Sequence, residues 1–124
     1  MTTTPDGRII LSWVEKLDAQ RHALRAAIRD NAGWSKPMTV SEGDNWFINW
    51  ADFPSVVALN DGTLAAHWLV KSGAGTYAYN VNIAVSKDSG QTWTKPIVPH
   101  LDNTPTEHGF VSLIPLRDGR LGAI

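Results

Sequence analysis

The 124-residue sequence predicts an all-β protein made of repeated antiparallel units. An Asp-Gly pair followed by an apolar run begins at Asp6, Asp61 and Asp118, so the spacings are 55 and 57 residues. Asp-Gly between two apolar runs is a strong signal for a β-hairpin. Apolar and polar residues also alternate over part of residues 77–85, which is typical of a strand. These three observations together predict the fold class.

The middle repeat has room for four strands. A repeat of this length with several short strands is typical of the blades of a β-propeller. We therefore predict that residues 52–100 form one four-stranded antiparallel blade, with the Asp61-Gly62 turn between its first two strands. Its predicted strands, in chain order, are residues 55–59, 63–70, 77–86 and 92–98.

The flanking repeats are predicted to be incomplete. Residues 1–40 form a blade that lacks its first strand, because only a short segment precedes Asp6. Residues 109–124 supply the start of a further blade. We expect residues 1–124 to be a single partial domain of about two blades and the start of a third, from a parent propeller of about six blades.

One segment favours a helix on composition alone. Residues 19–29 are rich in Ala, Leu and Arg, which are strong helix formers. In the repeat alignment, however, this segment takes the position of the third strand of the first blade. Helix propensity is a weak guide that tertiary context overrides, so we predict a strand here.

The most specific motif is Ser-x-Asp-x-Gly-x-Thr-Trp at residues 86–93. An Asp carboxylate can accept hydrogen bonds from the N–H groups of its own turn, and Gly can adopt a positive φ without steric cost. Thr and Trp suit the strand that follows. We expect purely structural roles for the five specified positions, Ser86, Asp88, Gly90, Thr92 and Trp93.

This motif resembles the Asp-box of bacterial sialidases and of other β-propellers with BNR repeats, and residues 30–34 resemble a shortened copy. For sialidases the resemblance implies a six-bladed propeller, an arginine triad, a Tyr nucleophile with a Glu partner, and an Asp acid/base. A Tyr nucleophile departs from the usual two-carboxylate scheme of glycosidases. None of these catalytic motifs is matched here, and Tyr77 and Tyr79 have no evident Glu partner in the sequence.

Residues 42–52 concentrate aromatic and polar side chains on the rim opposite the predicted Asp-Gly turns. Function usually lies on loops that a rigid scaffold positions. Aromatic rings can stack on sugars while Asp and Asn bind hydroxyls, although the two Trp can equally form a plug between blades. Asp52 lies just before the predicted first strand of the middle blade, residues 55–59, and is a predicted catalytic residue. The predicted substrate-binding residues are Asp44, Trp46, Asn49 and Trp50.

Residues 102–110 are the second candidate stretch. Alignment on the Asp-Gly turns places residues 107–109 at positions equivalent to residues 50–52, so Glu107 and His108 lie at the same rim as Asp52 of the previous repeat. A carboxylate and a His close together can act as acid and base, and we predict both to be catalytic; capping of loop backbone is the alternative. No ligand spacing supports a metal site, so none is predicted. The remaining histidines are interpreted as ordinary strand or loop residues: His22, His67 and His100.

Composition limits the function classes. A hydrophobic fraction of 43% and a charged fraction of 19% are typical of a globular chain. The net charge of −1 gives no electrostatic case for nucleic acid or for an anionic membrane. No cysteine is present, and no run has the length of a membrane-spanning helix or the form of a signal peptide. The family resemblance nevertheless implies a secreted or periplasmic parent.

Together these patterns predict a fragment of a sialidase-like exo-glycoside hydrolase acting on terminal sialic acid or a related acidic sugar. Carbohydrate is the expected partner, and no cofactor or membrane insertion is expected. Two alternatives share the fold: a non-catalytic Asp-box propeller that binds glycans or proteins, and a propeller lyase or other carbohydrate enzyme. Because a fold does not determine a function, all three stay open at this point, as does the oligomeric state.

Overall fold

A computed structural model describes residues 1–124 as three antiparallel β-sheets without a helix, which confirms the all-β class. The first sheet has the order β1-β2-β3, with β4 and β5 both pairing with β3; the second is β6-β7-β8, and the third is β9-β10. No helix is therefore present that has the length and apolar character needed to cross a membrane. The strands are β1 (Thr2–Thr3), β2 (Ile9–Lys16), β3 (His22–Asp30), β4 (Gly33–Trp34), β5 (Met38–Gly43), β6 (Ser55–Ala58), β7 (Leu64–Lys71), β8 (Tyr79–Ser86), β9 (Leu113–Pro115) and β10 (Leu121–Ala123).

The three Asp-Gly turns have the same geometry. Gly7, Gly62 and Gly119 adopt φ values of 84°, 86° and 84°, a region that L side chains rarely enter. Each glycine N–H donates to the carbonyl three residues earlier, at 3.0–3.1 Å. The sequence repeat is therefore also a structural repeat, and each turn connects two antiparallel strands.

Most predicted strands are confirmed, including the segment with helix-like composition. The predicted strand over residues 19–29 is β3, which pairs with β2 on one edge and with β4 and β5 on the other. Ala23, Leu24 and Ala26 are fully buried in it, so tertiary burial overrides their helix propensity. Strands β6, β7 and β8 lie within two residues of their predicted bounds.

The prediction that the first unit lacks its first strand is wrong. Thr2 and Thr3 form β1, which pairs with Ile10 and Ile9 of β2. The Thr2 hydroxyl also donates to the Val56 carbonyl at 3.0 Å, which ties this short strand to the second sheet. Two residues suffice because the Asp-Gly turn places them directly beside β2.

The prediction of a regular strand over residues 92–98 is also wrong. The Thr94 N–H donates to the Val85 carbonyl at 2.9 Å, and Ile97 exchanges two 2.9 Å bonds with Ile83. Between these bonded pairs, two residues of this segment lie opposite one residue of β8, so the ladder is interrupted. Pro96 lies within the interruption, and proline has no N–H to donate to a ladder.

The second sheet is covered on both faces. Successive residues of a strand point to opposite faces, so Val56 and Trp68 join the core shared with the first sheet, while Val57 and Leu69 join the core shared with Leu113 of the third. Strand β7 is accordingly buried from Leu64 to Leu69. The sheets thus pack face to face in chain order.

The 86–93 motif forms a compact turn. The Asp88 carboxylate accepts bonds from the Ser86 hydroxyl at 2.8 Å, the Thr92 N–H at 2.9 Å and the Thr92 hydroxyl at 2.5 Å. These bonds, led by the Thr92 hydroxyl, lower the pKa of Asp88 to about 2. The Trp93 indole donates to the Gly90 carbonyl at 3.2 Å, and its ring packs against the core shared by the first two sheets.

Both candidate stretches meet at one end of the second sheet. The Phe47 N–H donates to the Leu69 carbonyl at 3.0 Å, so residues 42–52 run beside the C-terminal end of β7. The Tyr79 N–H donates to Thr106 and the His108 N–H donates to Tyr79, both at 3.2 Å, so the second follows the start of β8. Because β7 and β8 are antiparallel, these two strand ends are adjacent.

Candidate functional site

A tyrosine connects the two predicted catalytic carboxylates. The Tyr79 hydroxyl lies 2.9 Å from Oε1 of Glu107 and 3.3 Å from Oδ2 of Asp52. A phenol carries one proton, so it can donate fully to only one of them, and the shorter distance favours Glu107. The two carboxylates, 55 residues apart in sequence, therefore share one hydroxyl.

Asp52 belongs to the interior. Its side chain is 4% exposed, and Oδ2 accepts a 2.8 Å bond from the Phe110 N–H. Gly109 lies so close that a Cβ there would be 2.7 Å from the Tyr79 hydroxyl. Phe110 has φ 56°, which is strained for a bulky residue. Asp52 therefore holds the loop before β9 in a conformation that the chain alone disfavours.

Tyr79 is the buried centre of this network. It is 1% exposed and stacks on Phe47 with 4.0 Å between ring centroids. Burial, and next the hydrogen bond to Glu107, raise the pKa of the Tyr79 hydroxyl. It therefore stays protonated and acts as a donor. Glu107 differs from its two partners because its side chain is exposed to solvent.

His67 lies in the same interior. It is 1% exposed, its Nδ1 is 3.1 Å from the Ser55 hydroxyl, and its Nε2 is buried without a partner. Burial lowers the pKa of His67 to about 4, against an opposing influence of the Asp52 charge. The imidazole is therefore neutral at physiological pH.

A second cluster contains two histidines and an aspartate. Nδ1 of His100 lies 2.9 Å from one carboxylate oxygen of Asp102, and Nε2 of His108 lies 3.1 Å from the other. The two imidazole rings stack with centroids 3.7 Å apart and planes 6° apart. Burial would lower the pKa of His108, but the bonds to Asp102 and to the Tyr79 carbonyl raise it overall. Although Glu107 and His108 are neighbours in sequence, they bind different partners.

The other predicted site residues separate into buried and exposed positions. Trp46 is buried between the first two sheets and stacks on Trp68 at 6.0 Å, which favours the interpretation as a plug. Trp50 is 90% exposed. Asn49 accepts a 2.9 Å bond from the Ala51 N–H and shapes its own loop. Asp44 is exposed just after β5.

Sequence reasoning missed four residues of these clusters. Tyr79 and His67 lie within strands, and no local sequence pattern indicates that the Tyr79 hydroxyl and the His67 imidazole contact residues of other elements. His100 and Asp102 carried a usable signal, because a His-x-Asp pair precedes His108 by only a few residues. The fold brings His100, Asp102 and His108 together without a recognised metal-ligand spacing in the sequence.

Comparisons of the chain with protein-family models, with curated proteins and with solved structures each found no match.

Proposed function

We propose that the chain is part of a sialidase-like β-propeller that hydrolyses a terminal acidic sugar, with Glu107 as the acid–base carboxylate that touches the substrate. Three face-packed antiparallel sheets, joined in chain order and built on equivalent Asp-Gly turns, support the propeller. The observation that carries the function is the hydrogen bond of Glu107 to Tyr79 at the end of the second sheet.

Glu107 is suited to proton transfer because it is both accessible and oriented. One carboxylate oxygen accepts a hydrogen bond from the Tyr79 hydroxyl at 2.9 Å, which leaves the other oxygen for a substrate or a water. A positioned carboxylate of this kind contributes roughly 10²–10⁴-fold to proton-transfer rates. Asp52 and Tyr79 are buried and act as positioning residues, since a substrate atom cannot reach them without displacement of the 107–110 loop.

The family resemblance adds the substrate class. The Asp-box of the 86–93 turn is similar to that of sialidases, whose substrates carry a carboxylate next to the reacting carbon. The arginine triad that this resemblance implies is not matched within the 124 residues.

Kinetics of the intact protein on a fluorogenic sialoside test the proposal. We expect turnover by the wild type and a lower kcat with little change in KM for Tyr79→Phe, which keeps the ring stack on Phe47 but removes the orienting proton. Tyr77→Phe is the matched control, because Tyr77 is exposed and makes no such bond. A folded wild type without turnover would overturn the hydrolase.

A non-catalytic glycan-binding propeller is the second candidate. It is favoured by the burial of Asp52 and Tyr79, which suits a structural network, and by exposed aromatic rings on the adjoining loops. Trp50, Phe53 and Phe110 are 90%, 62% and 64% exposed. Titration with sialosides and neutral oligosaccharides tests this alternative: binding that Trp50→Ala abolishes, in the absence of any turnover, supports it.

A further inference from the structure

We propose that His100, Asp102 and His108 form a binding site for a divalent transition-metal ion of the Zn²⁺ type. One ligand atom from each side chain lies within 4.8 Å of the other two. Imidazole nitrogen together with carboxylate oxygen is a donor set that zinc binds, at about 2.0–2.2 Å. This site uses neither Glu107 nor the sugar chemistry, so it stands independently of the proposed function.

The orientation of His108 is that of a metal ligand. Its Nδ1 is 3.1 Å from the Tyr79 carbonyl, which can only accept, so Nδ1 carries a hydrogen. In the neutral ring Nε2 then presents a lone pair to Asp102, 3.1 Å away, and two acceptors face each other. Either a proton on Nε2 or a metal ion in its place satisfies both. Metal-binding histidines typically donate their other ring N–H to a carbonyl or carboxylate in this way.

The stacked histidine pair favours one metal ion over two protons. Nδ1 of His100 faces the other oxygen of Asp102 at 2.9 Å, and the rings of His100 and His108 are almost parallel at 3.7 Å. Two imidazolium rings at this separation would repel each other. Nε2 of His100 is buried without a hydrogen-bond partner, so Nδ1 is the nitrogen that engages the cluster. A single dication would serve both neutral rings and the carboxylate at once.

The surroundings give an ion access and leave positions for water. His100 lies between two clefts of about 300 Å³ and about 350 Å³, and His108 also lines the first. Residues 98–106 contain no regular strand, so this loop can adjust. Ligand atoms around an ion at about 2.0–2.1 Å lie roughly 3.3 Å apart. The ligand atoms here lie within 4.8 Å of one another, so binding requires closure of up to about 1.5 Å and a tilt of the rings away from parallel.

Zinc binding to the intact, tag-free protein tests the proposal. A chromogenic chelator in competition should report one Zn²⁺ per chain, and Ca²⁺, which prefers oxygen ligands, should not compete. We expect Asp102→Asn, His100→Gln and His108→Gln each to weaken zinc binding by about tenfold or more. His22→Gln is the matched control, because His22 is half-buried in β3 and outside the cluster, and it should bind zinc like the wild type.

Two further measurements distinguish the loss of a metal site from misfolding of the variants. Zinc should raise the melting temperature of the wild type and of His22→Gln but not that of Asp102→Asn, since only a ligand of the folded state stabilises it. Co²⁺ bound in place of zinc should give visible absorption bands that the three cluster variants lose. The proposal is overturned if the folded wild type binds no zinc at about 100 μM, or if all three cluster variants bind it unchanged.

Discussion

The Tyr79 hydroxyl donates a 2.9 Å hydrogen bond to the Glu107 carboxylate, and this bond connects the start of β8 to the loop that leads to the third sheet. Backbone bonds from Tyr79 to Thr106 and His108 run beside it. The phenol is therefore held at both its backbone and its hydroxyl. The same strand end positions both clusters, because the Tyr79 carbonyl also orients His108.

Removal of the Asp52 carboxylate should destabilise the fold strongly. Asp52→Ala leaves the Phe110 N–H without its acceptor and releases the strained φ of that residue. We expect a loss of about 2–4 kcal/mol in the free energy of unfolding, measured by urea denaturation. Asp44→Ala, at an exposed position, should change it by no more than about 0.5 kcal/mol. Equal effects of the two substitutions would refute the buried network.

The glycine of the 86–93 turn should tolerate a side chain poorly. Gly90 has φ 89°, and a Cβ there would lie 2.6 Å from the Met38 sulfur of the first sheet. Gly90→Ala should therefore cost about 2–4 kcal/mol, from overpacking and backbone strain combined. Gly7→Ala is the control, because Gly7 has a similar φ of 84° but open space around it, so only the strain applies. Comparable losses of stability in both variants would argue against the contact between the sheets.

His67 should make stability depend on pH between about 7 and 4. The unfolded chain binds this proton at the ordinary pKa of 6.5, whereas burial lowers the pKa in the folded protein to about 4. Its contribution is therefore complete above pH 6.5 and is lost as the pH falls towards 4, by roughly 3 kcal/mol in all. Denaturation series at several pH values should show this slope in the wild type and in His22→Gln. A slope that persists in His67→Gln would show that other groups cause it.

Trp46 should behave as a core residue and Trp50 as a surface residue. Trp46 is buried and stacked on Trp68, so Trp46→Ala should lower the free energy of unfolding by about 3–5 kcal/mol. Trp50 is 90% exposed, and Trp50→Ala should have an effect below about 0.5 kcal/mol. Thermal and urea denaturation of the two variants distinguish the plug from a ligand-binding Trp pair. A destabilised Trp50→Ala would contradict the exposure of that ring.

The repeat made much of the fold predictable. Asp-Gly turns recur in sequence because each needs a positive φ at its glycine, and the same geometry appears at Gly7, Gly62 and Gly119. Alignment of the repeats also overrode composition correctly at β3. It failed at residues 92–98, where a proline interrupts pairing, and at Thr2–Thr3, where a strand of two residues carries no pattern.

The candidate site was predictable only in part. Alignment of the repeats singled out Asp52 and Glu107 because each lies shortly before the first strand of a repeat. In the structure both carboxylates lie within hydrogen-bond distance of the Tyr79 hydroxyl. Tyr79 was missed as their connection, because its apolar ring fits a strand pattern and its hydroxyl partner is 28 residues away. Long-range side-chain contacts of this kind leave no local trace in a single sequence.

The most direct test of the proposed hydrolase is the kcat of Glu107→Gln in the intact protein on a fluorogenic sialoside. Glu15→Gln is the control, because Glu15 is an exposed glutamate that pairs with Arg25 at 2.6 Å in the first sheet. We predict that Glu107→Gln lowers kcat by about 10²-fold or more, while Glu15→Gln retains wild-type turnover. Wild-type kcat in a folded Glu107→Gln variant would contradict the assignment of Glu107 as the acid–base carboxylate.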